Sequence, residues 1–215
     1  MITRTNERII GVLFLIATAS YMIGSTLIEA NLTSSDYLSH IYSNRTEIYI
    51  GLLLEFMNSA VVVGIAMLLF PLLRHHKESI AIGYLSSRII ESVLLIVGII
   101  SPLLLTLSET FNTADGTNWE SYSVIGELLI KGQEMTFELA MLALGIGSVM
   151  ICYLMYRKKL IPRPLSLLGI VGYASLFASS CLSIIGVDPG IVLFIPGGIF
   201  EIGFPIWLIV KGFNK

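Results

Sequence analysis

Long apolar runs alternate with short polar segments along the whole chain. Each run holds about 20 or more mostly apolar residues, which is the length that a helix needs to cross a bilayer. The runs lie at about residues 9–28, 48–73, 79–107, 135–156, 164–186 and 191–210. The pattern therefore predicts an all-α, polytopic membrane protein, built as a six-transmembrane-helix bundle in a single integral-membrane domain over residues 1–215.

A polar segment with helical spacing precedes the fourth run. Glu127, Lys131, Glu134 and Glu138 follow one another at offsets that return to one helix face. We therefore expect the fourth helix to begin within residues 118–134, outside the bilayer, with Glu127 and Lys131 on a solvated surface.

The composition supports the membrane assignment and excludes several other classes of protein. Hydrophobic residues make up 55% of the chain and charged residues 13%, with a formal net charge of -2. A soluble globular domain carries charge on about a quarter of its residues. Disordered proteins, disulfide scaffolds and nucleic-acid binders do not combine so much apolar content with so little charge. The lipid bilayer is thus the first predicted partner, and nucleic acid is not one.

The basic residues indicate the direction of the chain across the membrane. Ten of the 13 Lys and Arg residues fall in segments on one side of the predicted bundle: Arg4, Arg8, Arg74, Lys77, Arg157, Lys158, Lys159, Arg163, Lys211 and Lys215. The other side holds residues 29–47, 108–134 and 187–190, which are mainly acidic. By the positive-inside rule, both termini are predicted to be cytoplasmic.

Several ionisable residues lie inside the predicted spans, where a charge is expensive and marks a functional candidate. The candidate polar cluster comprises Glu55, Asn58, Arg88, Glu91, Glu138 and Glu201. Counted at about 1.5 Å per residue from the basic end of each run, Arg88 and Glu201 lie about 15 Å deep. Glu91, Asn58, Glu55 and Glu138 follow at increasing depth, up to about 28 Å. The cluster thus extends from the midplane to the outer half of the bilayer.

Matched depth predicts an ion pair between Arg88 and Glu201, because pairing leaves neither charge alone in lipid. Arg88 and Glu91 also lie three residues apart and share a helix face. One arginine cannot neutralise all the carboxylates, so some must be protonated, hydrated from outside or bound to a cation. Four residues near Glu201 are expected to break the sixth helix there: Pro196, Gly197, Gly198 and Pro205.

Familiar catalytic and metal-binding motifs are missing from the sequence. None of the three histidines falls in a predicted span, and the common hydrolase, metalloprotease and nucleotide-binding motifs do not occur. We therefore predict no catalytic residue and no cofactor, and we leave any metal ligand undetermined.

Five short stretches, taken together, give the chain a family resemblance. They are Arg8-Ile-Ile-Gly-Val-Leu-Phe-Leu-Ile-Ala-Thr, Gly51-Leu-Leu-Leu-Glu55-Phe-Met-Asn58, Arg88-Ile-Ile-Glu91, Leu160-Ile-Pro-Arg163 and Trp207-Leu-Ile-Val-Lys-Gly-Phe213. In these the chain resembles an uncharacterised family of bacterial integral-membrane proteins, defined only as domain of unknown function 4386. The resemblance implies a bacterial cell membrane and a six-helix bundle, and it brings no known catalytic or binding residues.

The surplus of acid favours a small transporter or ligand-binding protein, with an acidic cavity in the outer half of the bilayer. Its ligand would be a cation, a proton or a cationic amphiphile. One alternative is a membrane sensor or assembly partner whose buried ion pairs are purely structural. Another is an intramembrane enzyme that uses paired carboxylates, which is the weaker hypothesis because no nucleophile or metal set accompanies them. A complete bundle and a homodimer are both compatible with the sequence.

Overall fold

The computed structural model describes residues 3–32, 37–99, 101–113 and 119–214, which are almost entirely helical. The helices are α1 (Arg4–Glu29), α2 (Tyr37–Ser43), α3 (Arg45–His76), α4 (Glu78–Gly98), α5 (Ser101–Thr113), α6 (Trp119–Lys158), α7 (Arg163–Ile184) and α8 (Ile195–Val210). A short 3-10 helix, Ile191–Phe194, leads directly into α8.

Six helical segments are long and apolar enough to cross a membrane. They are Arg4–Glu29, Arg45–His76, Glu78–Phe111, Ser121–Lys158, Arg163–Ile184 and Ile191–Val210. These segments coincide with the six apolar runs, so the predicted all-α, six-helix membrane architecture is confirmed. The cytoplasmic position of the termini stays a prediction.

The long helices form a closed ring in chain order. Each packs on the next, in the order α1, α3, α4, α6, α7 and α8, and α8 packs back on α1. Helices three places apart in this ring stand opposite one another, as α1 and α6 do, and as α4 and α8 do. We call the end that carries Arg4, the His76–Glu78 turn and Lys211 the terminal face, and the opposite end, with Glu29 and Gly98, the far face.

Small residues let neighbouring helix backbones approach closely. A Cβ atom at Gly24 of α1 would lie 3.0 Å from the carbonyl oxygen of Gly51 in α3. A Cβ atom at Gly172 of α7 would lie 2.6 Å from the backbone nitrogen of Gly197 in α8. In a bilayer helices associate by close packing and interhelical hydrogen bonds, and small residues at the contacts make both available.

The third apolar run is two helices. Helix α4 ends at Gly98, Ile99 is extended with ψ 90°, and α5 begins at Ser101. Pro102 explains the break, because in a continuous helix it would have no N–H to donate to the Gly98 carbonyl group and its ring would clash there, while a proline is tolerated in the first turn of a new helix. The far face thereby gains a short helix that the hydropathy pattern alone does not separate.

A second, smaller apolar cluster covers part of the far face. It joins α2, α3 and α5 through Tyr37, Leu38, Ile41, Ile48, Leu104 and Phe111. Helix α6 reaches this layer because it has 40 residues, or about 60 Å, roughly twice the hydrocarbon thickness. Its start at Trp119 confirms the prediction that the fourth membrane helix begins within residues 118–134, and its position outside the bilayer stays a prediction.

Helix α8 corrects the expected break beside Glu201. Pro196 and the two glycines after it form the first turn of α8, where a proline is tolerated because its missing N–H would have no partner there. Pro205 does lie inside the helix, and α8 continues through it to Val210. Since Pro205 has no N–H, the carbonyl group of Glu201 lacks its usual helical donor.

Candidate functional site

A cavity of about 450 Å³ lies between α1, α3, α4 and α6 in the far-face half of the bundle. Its walls combine apolar, aromatic, amide and carboxylate side chains. The lining residues are Tyr21, Ser25, Ile28, Glu29, Leu32, Glu55, Asn58, Ser59, Leu95, Gly98, Ile130, Gln133, Glu134, Thr136 and Phe137.

Helical spacing explains why these side chains converge. On α3, Glu55 and Asn58 are three residues apart, so both turn toward the same side of the helix, as the sequence predicts. On α6, Ile130, Glu134 and Phe137 recur at offsets of four and seven residues and form one stripe. Each helix thus contributes one face to the cavity.

Three acidic side chains line the cavity between its rim and its interior. Glu29 and Glu134 are exposed at the rim, whereas Glu55 is half-buried further in. No lysine, arginine or histidine is among the described residues that line it. A cation entering from the far face therefore meets carboxylates along its path and no fixed positive charge in the wall.

Asn58 lies at the floor of the cavity with its amide group free. The residue is only 7% exposed, and its side chain makes no hydrogen bond to any part of the chain that the structure describes. Neighbouring groups are engaged elsewhere: the Ser59 hydroxyl donates to the Glu55 carbonyl oxygen at 3.0 Å, and Ser92 donates to the Ser59 carbonyl oxygen at 2.8 Å. The amide atoms of Asn58 are not among the fully buried atoms without a partner, so they face the open space of the cavity and are accessible to a ligand.

Glu138 stands beside this cavity without lining it. It is half-buried on α6, one residue beyond Phe137, and its Oε2 atom is buried without a hydrogen-bond partner among the described residues. Glu138 lies within electrostatic range of Tyr21, which does line the cavity. Its carboxyl group therefore belongs to the acidic surroundings of the site.

A second polar group lies deeper in the bundle, and we call Arg88, Glu91, Tyr173 and Glu201 the deep cluster. Arg88 Nη1 lies 2.9 Å from Glu91 Oε2, and the two residues are 5% and 3% exposed. The Tyr173 hydroxyl donates to Glu201 Oε1 at 3.4 Å. Arg88 and Glu201 remain within electrostatic range of each other.

The predicted ion pair between Arg88 and Glu201 is wrong. Within the described residues, the ion pair of Arg88 is with Glu91. Helix α4 packs on α3 and α6, whereas α8 packs on α1 and α7, so the two residues face each other from opposite sides of the ring. Glu91, one turn along the same helix, is the nearer partner.

The six predicted site residues thus divide between two places. Glu55 and Asn58 line the cavity and Glu138 adjoins it, whereas Arg88, Glu91 and Glu201 belong to the deep cluster. The sequence analysis missed the rim carboxylates Glu29 and Glu134, the amide Gln133 and the aromatic pair Tyr21 and Phe137. Of these residues, only Glu134 could have been found from the sequence, because its spacing puts it on the same helix face as Glu138.

The carboxylates of the cavity are spread out and do not converge on one point. Among the residues that the structure describes, no three His, Cys, Asp or Glu side chains are grouped closely enough to hold a metal ion. This spacing limits what the cavity can do chemically. It distributes carboxyl groups around the cavity without grouping three of them at one point.

An aromatic pair spans the bundle at the inner end of this cavity. The rings of Tyr21 on α1 and Phe137 on α6 are nearly parallel, with an interplanar angle of 8° and centroids 6.0 Å apart. Since α1 and α6 stand opposite in the ring, the pair crosses the interior. It gives the cavity an aromatic wall next to its carboxylates.

Comparisons with known proteins place the chain in a family without assigning it an activity. No curated protein and no solved structure matches it. Residues 9–212 match the family described as Domain of unknown function (DUF4386), and because this match spans nearly the whole chain, the protein belongs to that family.

Proposed function

We propose that the protein binds a cationic ligand in the acidic cavity and acts as a small transporter or ligand-binding protein of the bacterial cell membrane. The observation that carries the proposal is the Asn58 amide, which has no hydrogen-bond partner among the described residues, at the floor of a cavity lined by three carboxyl groups and no basic group. A carboxamide oxygen and carboxylate oxygens are acceptors, which is what a cation requires of its site.

The size and the walls of the cavity support this function. A volume of about 450 Å³ falls in the range of small-molecule sites, about 300–1,000 Å³. A cleft lined by charges of one sign and by apolar walls focuses the electrostatic field and concentrates counter-ions. Cations are therefore drawn toward Glu55 and anions are kept out.

The predicted orientation gives the cavity a direction. The basic segments lie at the terminal face, so the positive-inside rule puts that face in the cytoplasm and the cavity on the outside. In this orientation the exposed carboxylates Glu29 and Glu134 meet ligands from the exterior. The protein would then capture a cation from outside the cell and hold it in the outer half of the bilayer.

The deep cluster has a different role in this proposal. Arg88 and Glu91 already neutralise each other within one helix, and such a pair stabilises helix register without a ligand. The Arg88–Glu91 pair is the specific observation that favours the sensor or assembly hypothesis, because in that hypothesis the buried ion pairs are structural. With Arg88 and Glu91 assigned to a structural role, the ligand site that we propose is the cavity.

The test is ligand-dependent thermal unfolding of the detergent-purified protein against inorganic cations and organic ammonium compounds. A ligand that binds only the folded state stabilises it by about 2.7 kcal/mol at 100 times its dissociation constant. We expect at least one cation to stabilise the wild type and to stabilise Glu55→Gln much less. Flux of that cation into proteoliposomes then separates a transporter from a binding protein.

Glu78→Gln is the matched control, since it removes one negative charge from the exposed Arg74–Glu78 pair at the terminal face, far from the cavity. It should respond to cations as the wild type does. Equal stabilisation of the wild type and Glu55→Gln by every cation tested would overturn the proposal.

A further inference from the structure

Building on the proposed function, we infer that the ligand is an organic ammonium ion with an apolar or aromatic body, and not a metal ion. The charged nitrogen would lie between Glu55 and Asn58, and the body would lie against the Tyr21–Phe137 pair. Four observations on the described cavity support this assignment.

The first is the mismatch between the cavity and a metal ion. A tightly bound Ca²⁺ or Mg²⁺ ion has several oxygen ligands at about 2.0–2.6 Å, and carboxylates grouped around the ion usually supply the charge. The acidic residues here do not form such a group, and the cavity of about 450 Å³ is far larger than one coordination sphere. An organic cation fills more of this space and is reached by dispersed carboxylates.

The second observation is the apolar share of the walls. The apolar residues that line the same cavity as the carboxyl groups are Ile28 in α1, Leu32 in the turn after α1, Leu95 in α4 and Ile130 in α6. A hydrated inorganic ion gains nothing from such groups. A ligand with an apolar body removes its own surface and theirs from water.

The third observation is the aromatic pair. Tyr21 and Phe137 both line the cavity, and Tyr21 lies within electrostatic range of Glu29 and Glu55. Aromatic faces next to carboxylates are the usual means of recognising alkylammonium groups, since the ring face attracts a cation within about 6 Å of its centroid. The rings also offer a stacking surface to an aromatic body.

The fourth observation is the position of Glu55 at the close contact of two helices. The Cγ atom of Glu55 lies 3.3 Å from the position of a Cβ atom at Gly24, at the close contact of α1 and α3. Asn58 lies one turn further along α3 and offers its free amide. The charged end of a ligand would therefore lie at the contact of α1 and α3, and its body would extend toward α6.

The experiment compares three probes with the detergent-purified full chain: benzyltrimethylammonium, tetramethylammonium and Mg²⁺. Benzyltrimethylammonium carries both charge and an aromatic body, tetramethylammonium only the charge, and Mg²⁺ is the metal. We expect benzyltrimethylammonium to bind at least about tenfold more tightly than tetramethylammonium, because the body adds burial and stacking. We expect Mg²⁺ not to bind in a Glu55-dependent way.

Variants identify the aromatic wall as the source of this preference. Phe137→Leu and Tyr21→Leu should each weaken benzyltrimethylammonium binding about five- to tenfold, with a smaller effect on tetramethylammonium. Tyr21→Phe keeps the ring and should stay close to the wild type. Phe56→Leu is the matched control, because Phe56 is 54% exposed on α3 directly beside Glu55 and does not line the cavity.

The outcomes separate this inference from the proposed function. If a metal ion binds in a Glu55-dependent way and the ammonium compounds do not, the acidic site stands and the ligand class is wrong. Unchanged benzyltrimethylammonium affinity in both Phe137→Leu and Tyr21→Leu would also overturn the ligand class. If no cation of any kind binds, both proposals fail together.

Discussion

Arg88 and Glu91 form the most deeply buried ion pair in the described part of the chain, and their partnership is local. Removing one partner of a buried pair leaves the other charge unpaired in low dielectric, which costs about 3–5 kcal/mol. Replacing both partners by apolar residues of similar volume is often neutral. Single substitutions in the pair should therefore destabilise the protein much more than a double substitution of both partners.

We predict that Arg88→Met destabilises the protein by about 3–5 kcal/mol, and that the double variant Arg88→Met with Glu91→Leu recovers most of this loss. Thermal or denaturant unfolding in detergent measures both. A double variant that is no more stable than Arg88→Met would show that Glu91 is not the partner that matters.

The residue scale also shows what sequence reasoning could and could not find. Spacing identified the shared face of Glu55 and Asn58, because three residues along a helix return to the same side. Depth alone could not identify the partner of Arg88, since equal depth does not say which helices are neighbours. Glu29 was missed because counting along the chain placed it in a connecting segment, although it lines the rim of the cavity.

At the scale of elements, the far-face layer depends on a buried tyrosine. The Tyr37 hydroxyl donates to the Ser123 carbonyl oxygen at 3.3 Å, and the residue belongs to the apolar cluster of α2, α3 and α5. Burial, and to a lesser extent the negative charge of Glu127, raise the pKa of Tyr37 above its ordinary value. The folded state thus favours the neutral phenol.

This shift makes the layer sensitive to alkaline pH. A group with a raised folded-state pKa stabilises the fold fully below its ordinary pKa, about 10 for tyrosine, and loses that contribution as pH rises through the folded value. We expect the unfolding temperature of the wild type to fall more steeply above about pH 10 than that of Tyr37→Phe. Circular dichroism during heating at a series of pH values measures this.

Tyr42→Phe is the control for this effect, because Tyr42 lies on the same helix and is 40% exposed. It should follow the wild-type pH profile. Parallel profiles for the wild type and Tyr37→Phe would show that ionisation of Tyr37 does not destabilise the layer.

The elements themselves were largely predictable, and their exceptions have local causes. Apolar runs of membrane length located all six long segments. Helix α2 was missed because its seven residues carry no run of that length, and the break between α4 and α5 was missed because hydropathy continues across it. The expected break in α8 failed because Pro196 lies in the first turn, where proline fits.

At the scale of the whole molecule, the defining property is closure of the ring. A list of spans gives neither the order of helices around a bundle nor the contact between the first helix and the last. Both become visible only in the structure, where α8 packs on α1. Closure brings α1 and α6 to opposite sides of one interior, so that the cavity, its carboxylates and its aromatic wall come from segments far apart in sequence.

Arg4 joins α1 to α8 at the terminal face through hydrogen bonds. Its Nη1 atom donates to the Leu208 carbonyl oxygen at 3.0 Å and to Glu7 Oε2 at 2.9 Å, and its Nη2 atom donates to the Ile209 carbonyl oxygen at 3.0 Å. The guanidinium therefore binds carbonyl groups at the end of α8, which have no helical donors of their own and carry the negative end of the helix dipole. Glu7, which is 3% exposed, is held by the same side chain.

We predict that Arg4→Met destabilises the protein by about 2–4 kcal/mol, because it removes hydrogen bonds from a charged donor and leaves the Glu7 carboxylate buried without its partner. Arg8→Met is the matched control: it removes the same charge one turn along α1 from an exposed position and should change stability by less than about 0.5 kcal/mol. Thermal unfolding in detergent measures both variants, and cation binding to the folded Arg4→Met protein reports on the cavity. Because Arg4 and the cavity lie at opposite faces, the variant should lose stability and keep its affinity for the cation. If Arg4→Met were as stable as Arg8→Met, the contact of α1 with α8 would not depend on this guanidinium, and closure would rest on apolar packing alone.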